Sequence, residues 1–343
     1  MRSFALPARD ESLAFRRATG RSLVYSWLVA CVISCCVVLV PWDQISGQGF
    51  PDRDNYVATI DVLMNEGARS FDTGDENILA LVLNEYLWRE ILIGVGNHFR
   101  DPIDGLELVS FVALALTCWM VVQRAGWLYG VLFAVAPLTI DLFISQTRSA
   151  LALALFAVAL QLRSRALRYL LMLGAFMIHS VGALFIAIYV FDEVVLARKW
   201  MRGRHLILAS VGLALSLSAV WVFLSSGIFA SVGDRRADQE TMMPVTFTFS
   251  LVWIAVMVII VCFSRVEAFR FKTSVPQEIM FGLALLGMFL FGTAFGVGAL
   301  RFLALALPFV FVAIRCIRDQ VLRSAALGGI VLFNLIHASY WVQ

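Results

Sequence analysis

The sequence predicts an all-α protein, a polytopic transmembrane helical bundle of about eleven spans, and three observations carry that expectation. Apolar runs of roughly 15 to 23 residues recur from end to end of the 343-residue chain, the length a helix needs to cross hydrocarbon. Hydrophobic residues make up 61% of the chain and charged residues 15%, with a mean hydropathy of +0.85. Basic residues fall in clusters between the runs, and such clusters mark cytoplasmic loops.

In order, the expected spans are 22–42, 105–123, 127–145, 149–163, 166–178, 180–192, 205–226, 246–263, 278–296, 299–315 and 324–342. Arg2, Arg9, Arg16, Arg17 and Arg21 precede the first without a small-residue cleavage site, so it reads as a retained span with a cytoplasmic N-terminus. Arg124 then falls inside, followed by the clusters at 163–168, 198–204, 265–272 and 315–323. This map puts 19 basic residues inside and 8 outside. The run 77–99 carries Glu85, Arg89, Glu90 and His98; as a span it would invert every later loop, so it is expected outside, as a helix in the interface or cavity wall. The stretch 168–191 is long enough for one span, yet both flanks are basic and belong inside. Two short helices turning at His179–Ser180 resolve this, each about 20 Å long against a core of about 30 Å. Such a hairpin must be buried in protein or line a wet cavity. The whole of 1–343 is then one integral domain, with outer loops at 43–104 and 227–245.

Composition excludes several classes. The net charge of +3 gives no nucleic-acid signature. Cys31, Cys35, Cys36, Cys118, Cys262 and Cys316 all lie in or beside apolar runs, so no disulfide is expected, and no Cys/His spacing suggests zinc. No Walker loop, GxGxxG, HExxH or nucleophile elbow is present, and no cofactor or metal is expected. An activated substrate would have to come through the membrane itself.

The chemistry-bearing residues sit against the charge bias. Arg148, in Ser145-Gln146-Thr147-Arg148-Ser149, and Arg301, at the head of a late span, fall at outer span ends, where a cation is a functional-site hypothesis by default. Asp141, seven residues before Arg148, could orient its guanidinium. The alternative for both arginines is an interfacial anchor or a structural ion pair. His179 lies deep in an apolar hairpin, as a phosphate donor or base, or as a packing histidine. Arg235 and Arg236 could close over a charged substrate, or form a solvated loop run. Asp52, Asp54 and Tyr56 could contact sugar hydroxyls, or cap a helix. Glu85 could act as a general base, or pair with Arg89 at i,i+4. Together they describe an anion-binding cavity on the outer face.

The order of these features resembles the EpsG-like branch of the Wzy-type polysaccharide polymerases. The resemblance runs from Asp54-Asn55-Tyr56 through Asn84-Glu85-Tyr86 and is densest in Thr147-Arg148-Ser149-Ala150-Leu151-Ala152. Tyr169, Ile178-His179-Ser180 and Arg301-Phe302 complete it, while the small Ser149 departs from the bulkier residue usual after the arginine. The resemblance implies an architecture similar to C-type glycosyltransferases and a metal-independent reaction on the periplasmic face of a bacterial inner membrane. Lipid-linked oligosaccharide repeat units would be polymerised, with undecaprenyl pyrophosphate as the carrier of donor and acceptor. It leaves room for a chain-length regulator protein as partner, beside membrane lipids. Arg148, His179, Arg301 and Glu85 are then the expected catalytic set, with Asp54, Tyr56, Arg89, Asp141, Arg235 and Arg236 binding substrate. The competing classes are a transporter or flippase of lipid-linked glycan and a membrane O-acyltransferase.

Overall fold

The computed structural model describes residues 10–46, 49–66, 85–197, 204–223, 247–263, 274–294, 300–317 and 319–341. Among them every element is a helix. In chain order these are α1 (Asp10–Val38), the single turn α2 (Trp42–Ile45), α3 (Pro51–Glu66), α4 (Tyr86–His98), α5 (Pro102–Ala125) and α6 (Trp127–Ala134). Next come α7 (Pro137–Ile140, continuing as a π-turn over Asp141–Ser145), α8 (Thr147–Gln161), α9 (Arg165–Ile178), α10 (Val181–Ala197) and α11 (Arg204–Phe223). The last are α12 (Phe247–Phe263), α13 (Ser274–Ala294), α14 (Leu300–Arg315) and α15 (Gln320–Trp341). The outer loop expected at 227–245, with Arg235 and Arg236, lies outside the described residues, as do 77–84 of the expected interfacial stretch.

Each expected span has a helix on it. By length and composition, three described helices suffice to cross a membrane, within α5, α13 and α15, or four if the bent pair α6–α7 is a single span. Over the span expected at 127–145 that pair bends by 72° at 135–136. Pro137 is the cause, because its ring excludes Ala136 from helical geometry, and Ala136 is extended at φ −67° and ψ 131°. The hairpin turn at 179–180 is where the sequence places it, between α9 and α10. The helix of the 77–99 stretch has 13 residues, about 20 Å, too short to cross alone.

The core lies where α8, α10, α13 and α14 meet. Phe156 stacks within 4.9 Å of Phe185 and 4.6 Å of Phe281, and Phe281 lies 5.7 Å from Phe309. All four rings are fully buried, and from Phe302 to Ile314 every residue of α14 is buried. Below this layer one ionic network ties three helices. Glu278 of α13 accepts from Arg124 Nε of α5 at 3.0 Å and from Gln161 Nε2 of α8 at 2.8 Å, and its side chain is fully buried. Arg168 closes the α8–α9 turn by donating to the Leu162 carbonyl at 2.7 Å and to the Tyr189 hydroxyl at 2.6 Å. At the other end, α4 is pressed onto α5. A Cβ on Gly105 would stand 2.5 Å from Val95 Cγ1, so only glycine permits this approach.

Candidate functional site

Glu85 is the centre of the site, and its backbone is the first sign. It is the one non-glycine residue with positive φ among the described residues, at φ 55° and ψ 52°. Such a conformation costs on the order of 1–3 kcal/mol and persists where surrounding contacts over-determine it. Glu85 stands at the N-cap of α4, yet its side chain caps nothing in its own helix. Its carboxylate instead accepts from Arg148 Nη1 and from His179 Nδ1, the latter at 2.5 Å. The Ser180 N–H, at the head of α10, approaches the same oxygen at 3.4 Å. Arg148 from α8 and the hairpin tip between α9 and α10 thus converge on one carboxylate, at the head of α4, that is 6% exposed.

The hairpin tip is held as tightly. His179 N–H donates to Ala175, and Gly182 N–H donates to the His179 carbonyl at 2.8 Å. A Cβ on Gly182 would lie 2.5 Å from the Phe176 backbone, so the turn closes only around glycine. This fixes the imidazole, which is 5% exposed, with its Nδ1–H toward Glu85. A carboxylate on one ring nitrogen sets the tautomer and directs the other nitrogen's chemistry.

A second pair stands nearby. Arg301 Nη2 lies 4.0 Å from Asp52 Oδ2. Tyr56 joins the two pairs: burial pushes its hydroxyl up to about 12, Arg148 and Arg301 pull it down, and Asp52 and Glu85 push it up. All four charges therefore reach one phenol. Tyr56 meets Trp88 edge to face at 5.0 Å, which seats it against α4.

Helix direction unites these residues. Asp52 is the second residue of α3, Glu85 caps α4, Arg148 is the second residue of α8, Ser180 immediately precedes α10, and Arg301 is the second residue of α14. Five helices begin at the cluster. Each N-terminus presents unpaired N–H groups and the positive end of its dipole, so backbone and arginines favour the same ligand, an anion.

The expectation for Asp141 is corrected. The carboxylate on Arg148 is Glu85, while Asp141 accepts from Gln146 Nε2 at 2.9 Å. Seven residues of continuous α-helix would have put Asp141 and Arg148 on one face. The π-turn over Asp141–Ser145 and the non-helical Gln146, at φ −90° and ψ 44°, break that register. Asp54 is exposed on α3, and Arg89 is half-buried on α4, one turn beyond Glu85. The Glu85–His179 contact and the pairing of Asp52 with Arg301 were not foreseen. One signal was available: Asp52, Glu85, Arg148, Ser180 and Arg301 each lie within a residue or two of a helix start.

No family model matches this chain, and neither the curated proteins nor the solved structures contain a significant match to it.

Proposed function

We propose that this chain is a membrane-embedded glycosyltransferase that polymerises undecaprenyl-pyrophosphate-linked oligosaccharide repeat units on the periplasmic side of a bacterial inner membrane. The observation that carries the reading is the convergence of Arg148, Arg301 and five helix N-termini on one cluster that also holds the Glu85–His179 pair. Breaking a sugar–pyrophosphate bond places negative charge on the leaving group. Preorganised cations and N–H dipoles aimed at that charge lower the barrier without reorganising as it develops. A histidine held by a carboxylate is a fitting acceptor for the proton of an attacking hydroxyl. Tyr56, beside the cluster, is the proposed sugar contact, with Asp54 exposed on the same helix as a second one.

In this reading the protein has about eleven spans, with α9 and α10 as a short hairpin that lines the cavity and α3–α4 as an outer cover. The sequence resemblance to Wzy-type polymerases points the same way. The test is incubation of the purified protein with lipid-linked repeat units: a ladder of extended glycans is expected on a gel, and Arg148→Ala should abolish it. The broken pair α6–α7, bent by 72°, gives a flippase of the same lipid a foothold, since transporters place broken helices at their sites. Wild-type protein that moves the lipid-linked glycan across vesicles without lengthening it would favour that class.

A further inference from the structure

We infer that the ligand-free protein fills its own phosphate seats with carboxylates, and that an entering diphosphate displaces them. This rests on the anion-site reading above. Both arginines of the cluster carry a counter-ion: Glu85 on Arg148 and Asp52 on Arg301. Both carboxylates come from the outer segment 43–104, and both arginines come from helices of the bundle, α8 and α14. Glu85 takes the contacts a phosphate oxygen would take, an arginine N–H and the N–H at the head of α10. Carboxylate and phosphate oxygens compete for the same fork of donors.

The arrangement favours exchange. The side chains of Arg148 and Arg301 are 28% and 43% exposed, so neither ion pair is sealed from the surface. A phosphate carries more charge than a carboxylate and presents three oxygens. Two arginine–carboxylate pairs ask for a ligand with two linked phosphates, because a single phosphate frees only one. Once displaced from Arg148, Glu85 still has His179, so ligand entry also converts a shared carboxylate into the partner of one imidazole.

The experiment titrates purified full-length protein with inorganic pyrophosphate by calorimetry, as wild type, Glu85→Gln, Asp52→Asn and Arg148→Gln. Removing a resident competitor should tighten pyrophosphate binding by at least about fivefold in Glu85→Gln, the low end of coupling between two ligands of one site. Asp52→Asn should tighten it less, and Arg148→Gln should weaken it. On the wild type, pyrophosphate should speed amide exchange at the start of α4, where Glu85 lets go. Equal or weaker binding by Glu85→Gln, or unchanged or slower exchange there, overturns the displacement. Arg148→Gln binding pyrophosphate as wild type does, or no binding by any form, overturns the anion site itself and this inference with it.

Discussion

Arg148 is where a single substitution says most. Lysine would keep its charge but lose the planar fork that holds two phosphate oxygens together. Arg148→Lys is therefore expected to be nearly as damaging as Arg148→Ala, each losing roughly 2.7–4 kcal/mol of transition-state stabilisation, about a hundredfold or more in rate. Polymer length in a deletion strain carrying each variant at normal protein level is the measurement; wild-type ladders from the lysine variant would make Arg148 an anchor. The arginines and His179 were conspicuous in the sequence because a cation at a span end, or an imidazole inside an apolar hairpin, violates a strong bias. Their partners were not. Glu85 lies 63 positions from Arg148 and 94 from His179, and its local neighbour Arg89 offers a sufficient helical explanation. Asp141 misled for the opposite reason: its spacing implied a shared face that a five-residue π-turn removes.

At the scale of elements, helix positions followed from apolar runs and their basic flanks, and the hairpin followed from a conflict between length and charge. The bend within 127–145 was not foreseen. A proline three residues past the end of α6 bends the expected span, and periodicity alone does not register that. The hairpin gives a clean test. Gly182→Ala puts a methyl 2.5 Å from backbone atoms of Phe176, which cannot rotate away. Opening the turn should cost about 1–3 kcal/mol and tilt His179 off Glu85. A lowered melting temperature in detergent with a disproportionate loss of polymerisation is expected; full activity would mean that the imidazole's placement is immaterial. Deeper in the bundle, Arg124→Ala leaves Glu278 buried without its cation and should cost about 3–5 kcal/mol. Replacing both with Met and Leu should recover most of that stability in the same melt, because two buried charges leave together.

Over the whole molecule, two polar clusters stand at opposite ends of α8. Arg148 is near its start and Gln161 is its last residue, about 20 Å apart by helical rise. If the charge bias has been read correctly, cysteines replacing the exposed Arg100 and Arg163 in a cysteine-free background should label from opposite faces of the membrane, the second from the cytoplasm. Labelling of both from one side would redraw the topology. The count of crossings was less legible than the class, since several helices, such as the 15-residue α8, are shorter than a bilayer and lean on neighbours for depth. The Arg301–Asp52 pair also has a meaning in time. Glu85, Arg148 and His179 have all been synthesised by the time residue 180 is added. Arg301 follows Asp52 by 249 positions and stands at the start of α14. A growing chain therefore holds Glu85 and Arg148 through the synthesis of α9 to α13 before the second arginine of the cluster is made.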